Sequence, residues 1–483
     1  MRLSCQNLLL TALVVSTPLV LCGQQTDLPS APAANAMIPP LQQPFVVQNS
    51  VPPTAGSGKQ APPLVSPDTP TTPITRSDAE RIALKNNPRI TASQLLALAA
   101  GQVTRETRSA ALPQLTGYLT GEEAENGSRI GAGAGLTSSR LYSHFGAGGT
   151  LSQLITDFGH TRFLVATNKL QKEAQDQTTL ATQQDVLLAT DQAFYRLLNA
   201  QSLLDVAKAT VSARTDVQNL TAAKTKAALK SDLDLSIASA DLSQSQLLAL
   251  DAENGVASAS ALLAAVLATP PDTLYKAIED PDQASPPPPE TSSSAAITAE
   301  AEAERPDLQS VKLNAESFHK LAKAQALQHL PNITAQGIGG IIPAGPSGIY
   351  VPDWYAAGGV NLTLPAFTGF RITAQAEEAR LRAKATEQQA RDLSDNIARD
   401  VRVAILNAQT SFQRITVADD FRHQTAQALA LAQTRYKLGL SSIVELSQAQ
   451  LQSTQAAVAA VNARYDYLLA VRTLDYARGQ LAP

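Results

Sequence analysis

Two long stretches without glycine or proline, residues 160–254 and 370–438, constrain this chain more than any other feature. A continuous helix over residues 160–229 would be about 105 Å long at 1.5 Å per residue, far longer than a domain helix. Aromatic residues make up only 4% of the chain. This fraction is low for large hydrophobic cores and suits helices that pack along narrow apolar stripes. Within residues 160–229, apolar residues recur at roughly heptad spacing, at Leu180, Leu187, Phe194, Leu204, Val211 and Leu220. The pattern predicts helical rods packed as coiled coils.

The second rod is interrupted once, within residues 435–450. Gly439 can take a positive φ without steric cost, so it is suited to end a helix. Ser442 and Glu445 have the spacing of a capping box, which begins a new helix at once. The stretch therefore predicts two antiparallel helices joined by a very short turn.

An earlier stretch, residues 224–234, repeats this pattern of a helix end followed at once by a helix start. The positions of Arg435, Gly439, Leu440, Ser442 and Glu445 are taken there by Lys224, Ala228, Leu229, Ser231 and Asp234. The repetition predicts a tandem duplication with two hairpin tips. Because Ala228 replaces the glycine, the first turn must close without the residue that most easily adopts the left-handed conformation.

The first 74 residues contain no periodic pattern of helix or strand. Arg2 precedes an apolar run at residues 8–21, too short for a membrane-spanning helix, which predicts a signal peptide over residues 1–23. Cys22 lies in a loose lipoprotein cleavage box with Leu21 where a small residue is expected, so lipidation at Cys22 and cleavage nearby both stay open. The Pro-rich residues 24–74 predict a disordered leader.

The remaining chain divides into a first repeat at residues 75–269, a Pro-rich linker at 270–296 and a second repeat at 297–483. The first repeat starts with Ser77 and Glu80 at capping-box spacing. In each repeat, helices end at a Leu-Pro pair, two strands follow, and a rod begins. Alternating residues predict four strands, at residues 114–121, 141–154, 332–340 and 359–364.

Four strands per chain are too few to close a barrel, and an open sheet edge is not tolerated in lipid. After the signal segment, no stretch has the roughly 20 continuous apolar residues of a membrane helix. If the chain enters a membrane, it must therefore do so as an oligomer. Three copies would supply twelve strands, an even number typical of outer-membrane barrels.

These pieces resemble the TolC family of outer-membrane efflux proteins. The resemblance covers about residues 74–483 and rests on the helix ends at Leu112-Pro113 and Leu330-Pro331, the strand-to-rod junctions at 157–159 and 364–369, and the two tips. It implies an α+β membrane protein, a homotrimer whose twelve-stranded β-barrel in the bacterial outer membrane is continuous with a long periplasmic α-helical coiled-coil barrel.

The resemblance also implies a function and partners. Family members are passive exit ducts of tripartite efflux pumps or type I secretion systems, and carry small toxic compounds or polypeptides across the periplasm and outer membrane. They contact outer-membrane lipid, a periplasmic adaptor (membrane fusion) protein and an inner-membrane pump. A secreted coiled-coil structural or adhesive protein is the alternative. The cargo, the pump and adaptor class, and the open or closed resting state do not follow from the sequence.

The tips carry the candidate site residues. The resemblance implies that Asp234, Glu445 and Tyr436 lie at the periplasmic aperture, although both carboxylates also fit simple helix caps and Tyr436 fits a surface position. Gln448 stands where some members have a second acid. The adaptor-docking candidates are Lys224, Ala228, Leu229, Ser231, Arg435, Gly439, Leu440 and Ser442.

Other classes of function find little support. The net charge is -4 and the chain has no basic block, which disfavours nucleic acid as a partner. The histidines are scattered, and no hydrolase or phosphate-binding motif is present. The sequence therefore predicts no enzyme, and no catalytic residue, metal ligand or cofactor.

Overall fold

The computed structural model describes residues 71–122, 129–130, 139–140, 144–279, 288, 293–341 and 354–481. The expected signal peptide, Cys22, most of the leader and residues 342–353 lie outside these ranges. Within them the chain is an α+β protein in which helices predominate. None of the described helices is long and apolar enough to cross a membrane.

The first half runs from one short strand to a helical hairpin. Its elements are β1 (Thr72–Ile74), α1 (Arg76–Asn86), α2 (Pro88–Ser109), β2 (Gln114–Glu122), β3 (Arg129–Ile130), β4 (Ser139–Arg140), β5 (His144–Thr156), α3 (His160–Lys226) and α4 (Asp232–Val266). Asn87 ends α1, and its side chain caps α2 by accepting from the Arg89 N–H.

The second half has the same succession of helices. Its elements are β6 (Tyr275–Ala277), α5 (Ser294–Glu304), α6 (Pro306–Leu327), β7 (Asn332–Ile341), β8 (Trp354–Thr363), α7 (Arg371–Lys437) and α8 (Ile443–Arg478). Both rods, α3 and α7, are 67 residues long. The helices that follow them have 35 and 36 residues, so the expected long rods and short turns are confirmed.

The four long strands form one antiparallel sheet in the order β2-β5-β7-β8. Strand β8 starts five residues earlier than the alternation predicted, at Trp354. Residues 141–143, the start of the second expected strand, lie outside the described part of the chain. The sheet is thus the predicted one with altered strand ends.

The two faces of this sheet differ in chemistry. Leu115 and Val360 lie on one face and are 78% and 68% exposed, so this face is apolar and uncovered in the single chain. Thr116, Asn361 and Thr363 alternate with these residues and lie on the other face. The alternation expected for a sheet between two unlike environments is therefore present.

Strand β1 corrects the expected domain bounds. It pairs in parallel with β6, with Ile74 opposite Ala277. Residues 72–74 of the expected disordered leader and residues 275–277 of the expected linker are therefore ordered structure. Both side chains are buried in a hydrophobic core that includes residues of α3 and α4, so the pair is held by packing as well as by backbone hydrogen bonds.

The start of α1 also differs from the expectation. Thr75, not Ser77, is the N-cap, and its hydroxyl accepts from the Asp78 N–H at 3.2 Å. Thr75 directly follows β1, whose pairing with β6 holds the chain extended up to this residue. Glu80 is therefore not a capping carboxylate; it is fully buried inside the helical bundle.

Glu80 belongs to a buried group of charges that joins α1, α3 and α8. Arg472 donates to Glu80 Oε1 at 3.0 Å and to Asp191 Oδ2 at 2.6 Å, and Arg76 also contacts Glu80. Asp475 lies 3.4 Å from Arg472. Burial, followed by hydrogen bonding to Asp191, raises the pKa of Glu80 to about 7.

Candidate functional site at the paired helical tips

The second tip closes through a Schellman motif at the end of α7. Gly439 has a φ of 79°, and its N–H donates to the Tyr436 carbonyl at 3.1 Å. The Leu440 N–H donates to the Arg435 carbonyl at 2.8 Å. These two bonds satisfy carbonyls that a helix end otherwise leaves unpaired. The predicted role of Gly439 in ending the helix is confirmed.

The first tip has the same motif built on alanine. Ala228 has a φ of 56°, and the Leu229 N–H donates to the Lys224 carbonyl at 2.9 Å. A left-handed conformation costs a residue with a Cβ atom about 1–2 kcal/mol. The first turn is therefore closed in the same geometry as the second and is the more strained of the two.

The helix caps at the two tips differ. At the first tip, the Asp234 N–H donates to Ser231 Oγ at 3.2 Å and the Ser231 N–H donates to the Asp234 carboxylate, which completes the capping box. At the second, the Glu445 N–H donates to Ser442 Oγ at 3.2 Å. The Glu445 carboxylate lies 3.7 Å from Arg435 Nε, so it faces the end of α7 and the expected box is only half formed.

Tyr436 connects the two hairpins. Its side chain is 0% exposed, so the expectation of a surface residue is wrong. The ring packs with Ile443 and Leu446 in a small core at the tips, and its hydroxyl lies 2.8 Å from the hydroxyl of Thr221 on α3. A contact between helices so distant in sequence left no local signal from which it could have been predicted.

Lys224 makes a second connection between the hairpins. Its ammonium group donates to the backbone carbonyls of Tyr436 and Lys437 at 3.0 and 3.1 Å, and lies 5.0 Å from the centre of the Tyr436 ring. A cation at the C-terminal end of α7 is favourable because the helix dipole is negative there. The ammonium group of Lys224 is thus used in contacts within the chain. Lys230 Nζ lies over the same ring, 5.1 Å from its centre.

A third connection lies farther from the turns. Arg214 of α3 donates to Asp241 of α4 at 2.7 Å, and the Ser447 hydroxyl of α8 donates to the same carboxylate oxygen at 2.6 Å. Burial lowers the pKa of Arg214 from its ordinary value, and the carboxylate of Asp241 opposes that shift. The sequence offered no sign of this cluster, because its members come from three helices.

The outer surface of the tips is formed by the remaining candidates. Leu229 and Leu440 are 72% and 67% exposed. Ala228, Ser231, Arg435, Gly439 and Ser442 are exposed beside them. The tips therefore present exposed leucines, which also include Leu233 and Leu438, together with the cation of Arg435 and two accessible carboxylates.

The family model for outer membrane efflux proteins matches residues 81–269 and 297–480, which is most of the chain. The chain belongs to this family. Outer membrane efflux proteins of the TolC type lie in the outer membrane with a periplasmic helical tube, and that is the location of this chain. Family membership also assigns it to efflux transport rather than to catalysis.

Relatives and solved structures agree with this assignment. Outer membrane protein TolC of Escherichia coli (strain K12) is 24% identical over 415 residues, 82% of this chain and 80% of that protein. The TolC of Vibrio cholerae serotype O1 is 28% identical over 124 residues, so the chain spans only 28% of that relative's length. The Campylobacter jejuni CmeC outer membrane channel has a TM-score of 0.70 at 20% identity, with 84% of this chain and 85% of that chain covered.

A test of the tip geometry compares replacements of Gly439. Valine should destabilise the turn by more than alanine does, because a β-branched residue rarely adopts positive φ whereas Ala228 already adopts it. A Cβ at Gly439 would meet no atom within 4 Å, so the penalty comes from backbone conformation alone. Hydrogen exchange of the Leu440 amide is the measurement.

The matched control is Ala228→Gly at the first tip. It should relieve about 1–2 kcal/mol of strain and slow exchange at the Leu229 amide. Equal exchange rates in Gly439→Val and Gly439→Ala would contradict the assignment of the turn.

Proposed function

We propose that this chain is one protomer of a homotrimeric outer-membrane exit duct. The observation that carries the proposal is the arrangement along α3, which begins four residues after strand β5 and ends at the first tip. Its 67 residues correspond to about 100 Å at 1.5 Å per residue, so the sheet and the tips are far apart. A duct needs its membrane part and its periplasmic mouth separated in this way.

The sheet supports threefold assembly. Strands β2 and β8 are its edges, and each pairs on one side only among the described strands. Three four-stranded sheets joined edge to edge form a twelve-stranded barrel, which leaves no edge in lipid. The apolar face with Leu115 and Val360 then contacts outer-membrane lipid, and the face with Asn361 and Thr363 lines the lumen.

The division into repeats follows the helix lengths. Helices α1 and α5 both have 11 residues, and α2 and α6 both have 22. We assign the first repeat to residues 75–269 and the second to 297–483, with residues 270–296 as linker, apart from the strand β6. Residues 1–23 are proposed as signal peptide, and lipidation at Cys22 remains the alternative to cleavage nearby.

The tips are the proposed contact with the periplasmic adaptor, through which the duct works with an inner-membrane pump. The exposed surface formed by Leu229, Leu440 and Arg435 is the docking part. Asp234 and Glu445 supply acidic groups at the aperture, and Tyr436 acts from inside by joining the hairpins. A tripartite efflux pump and a type I secretion system both use such a duct, for small toxic compounds or polypeptides.

The first test is assembly and conductance. The protein purified from outer membranes should migrate as a heat-modifiable trimer and form channels in planar lipid bilayers. A monomer extracted by salt or alkali, with no channel activity, would overturn the proposal and favour a peripheral coiled-coil protein.

A prediction for the aperture concerns ion selectivity. Three copies of Asp234 and Glu445 place six carboxylates near the narrow end, which should favour cations. The double variant Asp234→Asn with Glu445→Gln should lose most of this preference, since amides keep the shape and remove the charge. Reversal potentials under a salt gradient measure the effect.

The control for this prediction is Asp232→Asn, an exposed acid in the same first turn of α4. It should change selectivity less than the double variant. Unchanged selectivity in the double variant would leave both carboxylates as helix caps only.

A further inference from the structure

One row of residues crosses the whole sheet from edge to edge. Tyr118 on β2 is opposite Gly148 on β5, Gly148 is opposite Gly340 on β7, and Gly340 is opposite Tyr355 on β8. Large side chains thus stand on the two edge strands and no side chains on the two central ones. The neighbouring described row on the same face is different, since it has Thr116 and Thr150.

The two tyrosines lean over the glycines and meet. Their hydroxyl oxygens are 2.6 Å apart, which is a short hydrogen bond. A Cβ built on Gly148 would lie 2.6 Å from Tyr355 Oη and 2.9 Å from the Tyr118 ring. The rings therefore rest directly on the central backbone, and glycine is required beneath them.

The hydrogen bond also reports on curvature. Strands β2 and β8 are three strand spacings apart, about 14 Å. Side chains on the concave face of a curved sheet converge, and those on the convex face diverge. A contact between hydroxyls from the two edges is therefore retained when the sheet curls toward this face and is lost when it curls away. The face is the polar one, which also carries Asn361 and Thr363.

We propose that Tyr118 and Tyr355 form a brace that holds the four-stranded sheet of a single protomer in the curvature that barrel closure needs. They are positioning residues for assembly. The proposal rests on the trimeric duct proposed above for its role in closure, but the bridge itself is a feature of one chain. An open sheet that is already curved presents its β2 and β8 edges ready to pair with neighbouring copies, which lowers the entropic cost of assembly.

The test is a double-mutant cycle on the two hydroxyls. Tyr118→Phe and Tyr355→Phe keep the rings and remove one partner of the hydrogen bond each. Each single variant should slow trimer formation during refolding in detergent by about fivefold, as expected from losing one hydrogen bond of ordinary strength. The double variant should be no slower than either single variant, because the same bond is lost in all three.

A second pair of variants tests whether glycine is required beneath the two tyrosine rings. Gly148→Ala should displace the rings and slow assembly, whereas Gly337→Ala, on the same sheet with no atom within 4 Å of its added Cβ, should not. Additive effects of the two Tyr→Phe changes, assembly of both at the wild-type rate, or equal behaviour of the two Gly→Ala variants would overturn the brace.

Failure of the trimeric duct is a separate outcome. If the wild-type chain forms no trimer, the role in closure is refuted together with the proposed function. The same cycle measured by thermal unfolding of the unassembled chain then decides whether the bridge exists, since the hydroxyl contact lies within one protomer.

Discussion

Arg472→Met is expected to lower the free energy of unfolding by about 3–5 kcal/mol, the usual result of removing one partner from a buried ion pair. Arg472 contacts both Glu80 and Asp191, whose side chains are completely buried. Methionine fills part of the same volume but leaves these carboxylates without their shared cation. Chemical denaturation of the purified protein measures the loss.

Arg399→Met is the matched control. Arg399 pairs with Asp400 on the exposed surface of α7, where an ion pair contributes about 0–1 kcal/mol. Adding Glu80→Gln to Arg472→Met should restore part of the stability, because one of the uncompensated charges is then absent. Equal losses for Arg472→Met and Arg399→Met would show that the buried group does not stabilise the bundle.

The same group predicts a pH dependence with a definite sign. The pKa of Glu80 is raised from 4.5 to about 7 in the folded protein, so the folded state holds the proton more tightly than the unfolded chain. Stability from this residue is therefore greatest below pH 4.5 and falls as the pH rises through about 7. Glu80→Gln should remove this part of the pH profile. A profile unchanged by Glu80→Gln would contradict the assignment.

Leu362→Arg is expected to impair insertion strongly. Leu362 lies on the apolar face of β8, where arginine facing lipid costs between about 1 and 4 kcal/mol per copy according to its depth. Three copies multiply the effect in the proposed trimer. The measurement is the yield of folded, heat-modifiable trimer in the outer membrane.

The neighbouring residue provides the control for this variant. Thr363 lies on the polar face, so Thr363→Arg places the same charge on the proposed lumen side and should be tolerated. Equal trimer yields for Leu362→Arg and Thr363→Arg would mean that the two faces of the sheet are wrongly assigned.

The elements that the sequence predicted well are those with local signals. Runs free of glycine and proline marked α3 and α7, Gly439 marked a helix end, and alternation marked the strands. Ser231 and Asp234 formed the capping box that their spacing indicated. Each of these patterns depends on residues within one or two turns of each other.

The details that the sequence could not supply depend on distant partners. Ser77 and Thr75 are both plausible caps, and only the pairing of β1 with β6 selects Thr75. The spacing of Glu80 from Ser77 predicts a capping acid, and only the contact with Arg472 shows that its role is a buried ion pair. Tyr436 reads as a surface residue because its partner, Thr221, belongs to the other hairpin.

The equal length of α3 and α7 means that the two halves of the chain extend the same distance from the sheet to the tips. Thr221, Tyr436 and Lys224 hold the two tips at the same level. A change in the length of one rod alone would therefore separate the residues that make these contacts. A heptad inserted into a helix adds about 10 Å and preserves the seam. The reach of the duct across the periplasm can therefore change only in whole heptads, made together in both rods and in the two helices that return from the tips.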